Sequence, residues 1–544
     1  WFIIDFIQIS TTGIIHDESY YYVWSQYLDW GYFDHPPMVA ILIFLGDLFF
    51  DGSIAVRFFS VLLHLFTVLL LWKTLDSKYK QSNTSVLYFF GMTFTLPMFS
   101  IYGFITTPDS ALLFFFALSA WAFKHFLTRR KFLDLIWLSI GLAGMVLSKY
   151  HAFLIISLVL IINWQLVKER RFWILFAIAI ILIIPHFIWL YEHDFITFKY
   201  HLIERSKSFK IKYLLEYIPN QFAVLNPFYL SLFLFLIFRK TLRNRFEQTM
   251  KFTAIGILVF FAFMTLKGRV EAHWTTIASI PLFFIVFPYL IKLSKQKKYV
   301  KYTVSSFVIL ILISRVLIAF DILPGVNFDK EEVEYNKKLN AFLENKPVVF
   351  IGSFQEPSSY YYATRGAPTS TIPYYRKRET QFELWAWYED FLGQSVFVSQ
   401  TSYTNSKQHK YKGETFRGYF VDYYQDSRLI DVDYDIKETR FKKGKEYYID
   451  LEIFNTSAID YNFKDNQMPL QVRVAFVGKD PIKTKSVELH LKELKILKAN
   501  DSQVFRTQFK VPKSLDEKNY FFNISIKSKL GFTTNSKDTL VEIN

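Results

Sequence analysis

The chain has 544 residues, 52% of them hydrophobic and 19% aromatic, with 60 Phe and no Cys. That composition exceeds an ordinary soluble domain and fits a polytopic membrane protein; the absence of cysteine excludes disulfides and leaves the redox compartment unread. The formal charge of +15 does not argue for nucleic acid, because the basic residues are dispersed in short loops between apolar runs, where membrane topology accounts for them.

In chain order, about eleven apolar stretches read as spans: 1–15, 53–72, 84–104, 109–127, 132–148, 152–167, 172–191, 222–238, 252–266, 274–291 and 302–320. Several are short for a core of about 30 Å, which calls for tilt or local thinning. The first is shorter than the roughly 20 residues a span needs, so its inner end is expected to lie outside the given sequence. It lacks the basic start and small-residue cleavage site of a signal peptide. Alternation gathers loops 73–83, 124–131, 168–172, 239–251 and 292–301 on one side. These carry Lys73, Lys78 and Lys80, then Lys124, Arg129, Arg130 and Lys131, then Lys168, Arg170 and Arg171. The positive-inside rule makes that side the cytoplasm. Loops 16–52, 105–108, 149–151, 192–221 and 267–273, and everything after Asp321, are then expected outside. The apolar run Met38–Phe50, flanked by Asp47 and Asp51, is too short to span and reads as a helix lying in the interface.

Beyond Pro324 the character changes. Val348–Gly352 (VVFIG) and residues 395–400 (SVFVSQ) read as buried strands of one α/β unit. From about Gly418 the pattern alternates, as in Tyr447–Phe454, Leu470–Val477 and Tyr520–Ile526, which predicts a small β-sandwich. The expected organisation is a membrane domain over 1–322, an α/β domain over 323–417 and a β-sandwich over 418–544.

The outer loops hold carboxylates beside apolar spans, and ionisable groups in that position are functional candidates. Loop 16–52 opens with His16-Asp17-Glu18 and later carries Asp34-His35-Pro36-Pro37. The proline pair stiffens the backbone around Asp34 and His35. Asp17 and Glu18 read equally well as acids capping a juxtamembrane helix. Thr107-Pro108-Asp109 also fits a helix start, with Pro at the first helical position. Lys149 stands in a tight outer turn, where either snorkelling or a phosphate partner explains it. Loop 192–221 breaks the shortage of outer cations with Lys199, Arg205, Lys207, Lys210 and Lys212; this is either a solvated face or a seat for a lipid phosphate. The turn Lys267-Gly268-Arg269-Val270-Glu271-Ala272-His273-Trp274 packs two cations, a carboxylate and an imidazole together. Arg suits phosphate; Asp34, Glu271 and His273 are oxygen and nitrogen donors able to hold a metal; a local salt bridge is the plainer alternative. There is no P-loop, G-x-G-x-x-G or G-x-S-x-G, which argues against an ATP-driven pump.

An outer Asp-Glu after the first span, then LDWGYFDHPPM, TPD, LSKYHAFL and KGRVEAHW in that order, resemble the polytopic GT-C glycosyltransferases. The similarity is to bacterial members of the dolichyl-phosphate-mannose–protein mannosyltransferase superfamily and, more distantly, to the lipid A aminoarabinose transferases. It covers roughly residues 1–320. The resemblance implies a GT-C membrane fold with an extracytoplasmic α/β unit. It also implies a hexosyl- or pentosyltransferase of the bacterial inner membrane. The sugar would pass from a polyprenyl-phosphate donor to a protein, lipid or glycan acceptor on the periplasmic side. By motif, Asp17 falls at the family's catalytic carboxylate, with Glu18 beside it and Asp109 at its acidic position on the fourth span. Asp34-His35 stands where the lipid A enzymes carry Glu-Lys before proline, and EAHW stands where relatives read EANW.

The chemistry expected is an inverting displacement. Asp17 accepts the acceptor's proton, and the lipid phosphate leaves as a stable anion that needs no general acid but does need fixed positive charge. Lys149, Arg205, Lys267, Arg269 and His35 are the candidates for that charge. No cofactor is required; a divalent ion at Asp34, Glu271 and His273 is the optional addition. The competing readings are an oligosaccharyltransferase moving a whole glycan, a lipid-linked sugar flippase, and a binding or scaffold role for residues 325–544. A flippase would place polar groups inside the spans, which the sequence leaves mostly apolar.

Overall fold

The structure, a computed structural model, describes residues 2–129, 131–200, 209–239, 244–322, 328, 330–373, 375, 378–399, 407–478, 484–516 and 518–544. Arg130, His201, Arg205 and Lys207 lie outside the described residues. The chain divides into two compact units, Trp1–Lys330 and Glu331–Asn544.

The first unit is helical. In chain order it comprises α1 (Phe2–Thr11), α2 (His16–Gln26), α3 (Met38–Asp47), α4 (Gly52–Thr74), α5 (Asn83–Phe94), α6 (Pro97–Ile101), α7 (Pro108–Thr128) and α8 (Phe132–Ser148). There follow α9 (His151–Ile162), α10 (Arg170–Glu192), α11 (Ile196–Lys199), α12 (Ile211–Leu225), α13 (Pro227–Ile237), α14 (Arg245–Met264), α15 (Ser279–Gln296, entered through a 3-10 turn at Ala272–Ala278) and α16 (Tyr299–Ala319). Among the described residues, six helices are long and apolar enough to cross a membrane, or seven if the bent pair α12–α13 is one span. The expected count of about eleven spans is therefore not reached. Three of the expected stretches form short apolar helices, α1, α8 and α9, below the length of a full span; α3, expected to be too short to span, is likewise a short apolar helix.

Two expected spans are broken, and the breaks serve each other. The stretch 84–104 stops at Phe94 and resumes at Pro97, because a proline cannot donate within a helix. The stretch 222–238 turns through 107° between α12 and α13, at Asn226, which takes φ +68° before Pro227. Asn226 Nδ2 donates to the Thr95 carbonyl (2.9 Å), and its Oδ1 accepts from the Phe228 amide (3.0 Å). The Thr95 and Tyr229 hydroxyls close the contact at 2.8 Å. Broken helices survive in an apolar medium only where freed backbone groups find such partners.

The spans are also less purely apolar than expected. Arg315 of α16 is buried and binds Asp5 of α1 at 2.7 Å, while its Nη2 donates to the carbonyl (3.0 Å) and hydroxyl (2.9 Å) of Ser100 in α6. Gln8 donates to the Arg315 carbonyl and to Thr12. Arg315 lies one turn before the end of α16, so the cluster sits towards one end of the bundle and ties three helices together.

The second unit joins an α/β layer to a β-sandwich. Its first part holds α17 (Lys330–Leu343), β1 (Val348–Gly352), α18 (Gln355–Thr364), β2 (Thr369–Pro373), α19 (Gln381–Leu384), β3 (Val396–Ser399), β4 (Lys407–Tyr411) and β5 (Glu414–Val421). The sheet order is β2-β1-β3-β5-β4, with β1 parallel to β2 and β3. β1 and β3 thus share one sheet, as VVFIG and SVFVSQ lead one to expect. β5 runs across the expected 417/418 boundary, so the α/β part extends to Val421.

The sandwich contains β6 (Ile430–Asp435), β7 (Arg440–Phe441), β8 (Glu446–Asn455), β9 (Tyr461–Asn462), β10 (Gln471–Val477), β11 (Lys485–Glu488), β12 (Ile496–Leu497), β13 (Ser502–Lys510), β14 (Asn519–Ser528), β15 (Gly531–Thr534) and β16 (Thr539–Ile543). Sheets β11-β10-β14-β16-β7 and β13-β8-β6 enclose a core that includes Ile449, Val474, Phe476, Phe509 and Phe522. β8 shows why: its buried and less buried residues alternate along the strand, the period-two signature of a sheet with one face in the core.

Replacing Arg315 by Met should strand the buried Asp5 carboxylate and cost about 3–5 kcal/mol, whereas Asp5→Asn with Arg315→Met should recover much of that loss. Thermal unfolding of the two variants in detergent checks this; equal losses would show that the pair is not the cause.

Candidate active site

Four turns carry the residues singled out in the sequence, and hydrogen bonds tie the starts of α2 and α7 together. The first is the start of α2. Glu18 and Arg57 of α4 are both fully buried, and they pair: Nη2 to Oε2 at 2.5 Å and Nε to Oε1 at 2.7 Å. Glu18 Oε2 also accepts from the Ile15 amide (3.1 Å), and Oε1 from the Thr106 amide (2.9 Å). Arg57 spends its remaining donors on the carbonyls of Thr12 (2.9 Å) and Gly13 (2.7 Å). Both carboxylate oxygens are thus fully engaged. Glu18, read from the sequence as a catalytic carboxylate, is a clamp that joins α2, α4 and the turn before α7, because an acid this buried must be paired to stay ionised.

The second turn is Thr106-Thr107-Pro108-Asp109. Besides its bond to Glu18, Thr106 reaches the Val56 carbonyl (2.8 Å) and the Ser60 hydroxyl (2.7 Å) of α4. Ser110 Oγ donates to the Ile105 carbonyl at 2.7 Å and accepts from the Thr107 amide at 3.3 Å. Pro108 and Asp109 open α7, so the capping reading of this motif is present in the structure. Asp109 is 2% exposed and its Oδ2 accepts from Lys149 Nζ at 2.6 Å. Its Oδ1 is buried with no hydrogen-bond partner among the described residues. Lys149, expected to seat a phosphate, is itself buried. Burial directs its ammonium to the Asp109 carboxylate.

The third turn is the loop from Tyr27 to Pro37. Trp24 and Tyr32 stack at 4.5 Å and 9°, and the Tyr32 hydroxyl donates to the carbonyls of Trp24 and Tyr27, both at 3.1 Å. Asp29 accepts from Trp189 Nε1 (2.8 Å), and His186 bridges the Trp30 carbonyl (2.6 Å) and the Tyr150 hydroxyl (3.1 Å). Gly31 is required here by close approach, since a Cβ would fall 2.3 Å from Trp189. These contacts hold Asp34, which is buried, and His35, whose ring lies 6.2 Å from Tyr21 and 6.4 Å from Trp24.

The charges of Asp17, Asp34 and Asp109 all act on one phenol. Tyr21, one helical turn after Asp17, is buried; burial first, then the charges of Asp17, Asp34 and Asp109, push its hydroxyl well above the ordinary tyrosine range. Tyr102 lies within Coulombic reach of Asp109 and Asp17. Of the three acids, Asp34 and Asp109 are buried while Asp17 is exposed in the first turn of α2.

The fourth turn is 267–274. The 3-10 segment Ala272–Ala278 packs on α6 and α7, and Trp274 lies 5.5 Å from His151, two residues from Lys149. Lys267 and Arg269 are exposed, and Arg269 reaches Glu271 only loosely at 3.7 Å. This is the local salt bridge weighed above. The described residues form no group of three His, Asp or Glu able to hold a metal ion. Asp34, Glu271 and His273 do not form such a group; Glu271 lies 3.7 Å from Arg269. Arg57, Tyr21, Tyr102 and His186 are the parts that sequence reading missed. A lone Arg near the end of an apolar helix was the available signal for Arg57.

Residues 34–189 match the family described as dolichyl-phosphate-mannose-protein mannosyltransferase. The chain is 25% identical over 312 residues to the lipid A galacturonosyltransferase RgtD of Rhizobium johnstonii, an alignment covering 53% of this chain and 64% of that protein. The chain thus spans just under two thirds of that curated relative. Among solved structures, ArnT from Cupriavidus metallidurans bound to undecaprenyl phosphate superposes with a TM-score of 0.54 at 12% identity, over 76% of this chain and 96% of ArnT. Its apo form gives 0.53 over 76% and 95%. The fold is shared.

Glu18→Gln should leave the Arg57 charge buried and underpaired and cost about 3–5 kcal/mol, while Asp17→Asn, at an exposed position, should stay within about 0.5 kcal/mol of the parent. Denaturation of the purified variants checks the contrast; equal stabilities would contradict the clamp.

Proposed function

We propose, starting from the chain's similarity to the mannosyltransferase family, to RgtD and to the fold of ArnT, that it is a GT-C glycosyltransferase that transfers a single sugar from a polyprenyl-phosphate donor to an acceptor outside the cytoplasm. The observation that carries this reading is that Asp17, Asp34 and Asp109 all act on Tyr21, while Lys267 and Arg269 are exposed in the turn before the 3-10 segment that packs on α6 and α7. An exposed carboxylate next to buried ones suits a base that must meet a mobile acceptor. The undecaprenyl phosphate bound to the fold relative ArnT supports a polyprenyl-phosphate carrier, and the lipid A galacturonosyltransferase relative favours a lipid-type acceptor carrying a saccharide.

In the proposed step, the acceptor oxygen or nitrogen attacks the anomeric carbon as the bond from that carbon to the phosphate oxygen breaks. The acceptor's proton passes to Asp17, and the polyprenyl phosphate departs as an anion. Arg269 and Lys267 stabilise the charge that grows on the departing phosphate. Asp109, neutralised by Lys149, holds its own turn in place; Glu18 holds Asp17 against that turn. Asp34 acts on Tyr21 through its charge, and the His35 ring lies 6.2 Å from that of Tyr21. No step is assigned to a metal, because Asp34, Glu271 and His273 do not assemble a ligand set. The orientation that goes with this reading sets the basic loops in the cytoplasm and loop 16–52 outside.

Asp17→Asn should lower turnover at least about 10²-fold while retaining donor binding; a near-parental rate in a glycosylation assay would remove Asp17 from the base role. Arg269→Ala should weaken donor binding more than acceptor binding, and Arg269→Lys should restore only part, because the bidentate fork is lost. Equal activity with a soluble nucleotide sugar would sink the polyprenyl-phosphate assignment. The chain has no Cys of its own, so single cysteines report orientation cleanly. An impermeant thiol reagent applied outside the plasma membrane should label Gln26→Cys and spare Gln81→Cys. The reverse pattern would invert the topology.

A further inference from the structure

The β-sandwich carries a cavity of its own. β11 leaves β10 after Glu488, and the chain returns beside Phe463 before β12. The Leu489 amide donates to the Val472 carbonyl (2.9 Å), and the Phe463 amide donates to the Lys495 carbonyl (2.9 Å). The loop His490–Leu494 is thus pinned at both ends. Inside it, the amides of Leu491 and Leu494 donate to the carbonyls of Leu489 and Leu491, both at 3.1 Å. Between this loop and the β9–β10 connection lies a space of about 160 Å³. That is roughly five times the volume of one water molecule in the liquid, so the cavity has room for a small ring and not only for an ion.

The cavity has two kinds of wall. Phe463, Val472, Leu489 and Leu494 are buried members of the sandwich core and give it an apolar floor. Lys464, His490 and Lys492 line the same cavity and are exposed. Glu488, the acid of the lining, lies 3.6 Å from Arg473, its partner across the β10–β11 pair, so its charge is already met. Other exposed lysines of the sandwich have carboxylates at hand: Lys498 binds Asp460 at 2.8 Å and Lys518 binds Asp516 at 2.7 Å. Among the described residues, the side chains of Lys464, His490 and Lys492 have no such partner. The rim therefore keeps net positive charge over an apolar floor. An apolar floor with a few polar groups at its edge is the usual build of a small-molecule site, and lysine meets phosphate as a point charge.

We propose that this cavity binds a sugar unit carrying an anionic group, phosphate or carboxylate. The carbon-bound hydrogens of the ring lie against Phe463, Val472 and Leu489, and the anion is met by Lys464, His490 and Lys492. Charge complementarity favours this occupant over a neutral sugar, and the volume favours it over a bare anion. The site is built from the sandwich alone, and none of its residues belongs to the machinery around Asp17. It gives the chain a saccharide contact separate from the place of sugar transfer.

Saturation-transfer nuclear magnetic resonance tests this on the full chain, in a detergent without a sugar head group and at low salt. Glucose 6-phosphate or glucuronate, or both, should bind, and which of them binds names the anionic group. Glucose should bind at least about fivefold more weakly, and equimolar inorganic phosphate should displace little of the bound sugar. Lys464→Gln and Lys492→Gln each remove one exposed charge and should each weaken the anionic sugar about fivefold, the scale of one charge contact in water. Gln471→Trp, at a half-buried position of the lining, should block the cavity with thermal unfolding unchanged. Lys537→Gln, exposed on the sandwich and outside the cavity, should change nothing. No transfer to either anionic sugar, equal binding of glucose, full displacement by inorganic phosphate, or parental affinity in both lysine variants would each overturn the proposal. The readout is bound sugar, so its failure is separate from any failure of the glycosyl-transfer reading.

Discussion

The arrangement of the candidate site depends on one buried ion pair. Taking Glu18 and Arg57 wholly out of contact with solvent is costly, and the attraction between them repays that cost only if every remaining donor and acceptor is satisfied. Here it is: the carboxylate takes the amides of Ile15 and Thr106 besides the guanidinium, and the guanidinium takes the carbonyls of Thr12 and Gly13. Six positions on three segments are thereby fixed relative to one another. The first turn of α2 cannot rotate without breaking them, so Asp17 is held towards solvent and Tyr21 towards the core. The start of α7 is referred to the same pair through Thr106, which sets where Asp109 lies.

The second constraint is how the helical unit satisfies its backbone where spans stop short. The break before Pro97 and the bend before Pro227 exchange hydrogen bonds through Thr95, Asn226 and Tyr229, and Ser100, just beyond the first break, is held by Arg315. The segment that leads into the Thr107-Pro108-Asp109 turn is thus anchored at both ends. Preorganisation of this kind suits the proposed displacement, because fixed groups need no rearrangement at the moment of reaction.

Much of this was legible in the sequence, and the reasons for the remainder are physical. Asp17, Asp34 and Asp109 stand out as carboxylates beside apolar runs, and the alternating strands of the β-sandwich read directly from their period. The different fates of Asp17 and Glu18 do not, because adjacent residues on a helix differ by about 100° in direction and the sequence does not say which faces inward. Lys149 reads as a cation free to meet phosphate until Asp109, forty positions earlier, is seen 2.6 Å away. The expected spans 1–15, 132–148 and 152–167 contain helices too short to count as full spans, and 84–104 and 222–238 are broken before Pro97 and Pro227. Arg57 and Arg315 lie inside apolar runs, where their partners come from distant parts of the chain.

The central claim is a single displacement at the anomeric carbon, driven by a carboxylate base and a phosphate leaving group. Its most direct test is the stereochemistry of the product. Purified protein given a polyprenyl-phosphate-linked sugar of known anomeric configuration and a lipid-anchored saccharide acceptor should release one polyprenyl phosphate per sugar transferred, and nuclear magnetic resonance of the product should show the opposite configuration at the anomeric carbon. Retention of configuration, or transfer without release of polyprenyl phosphate, would contradict it.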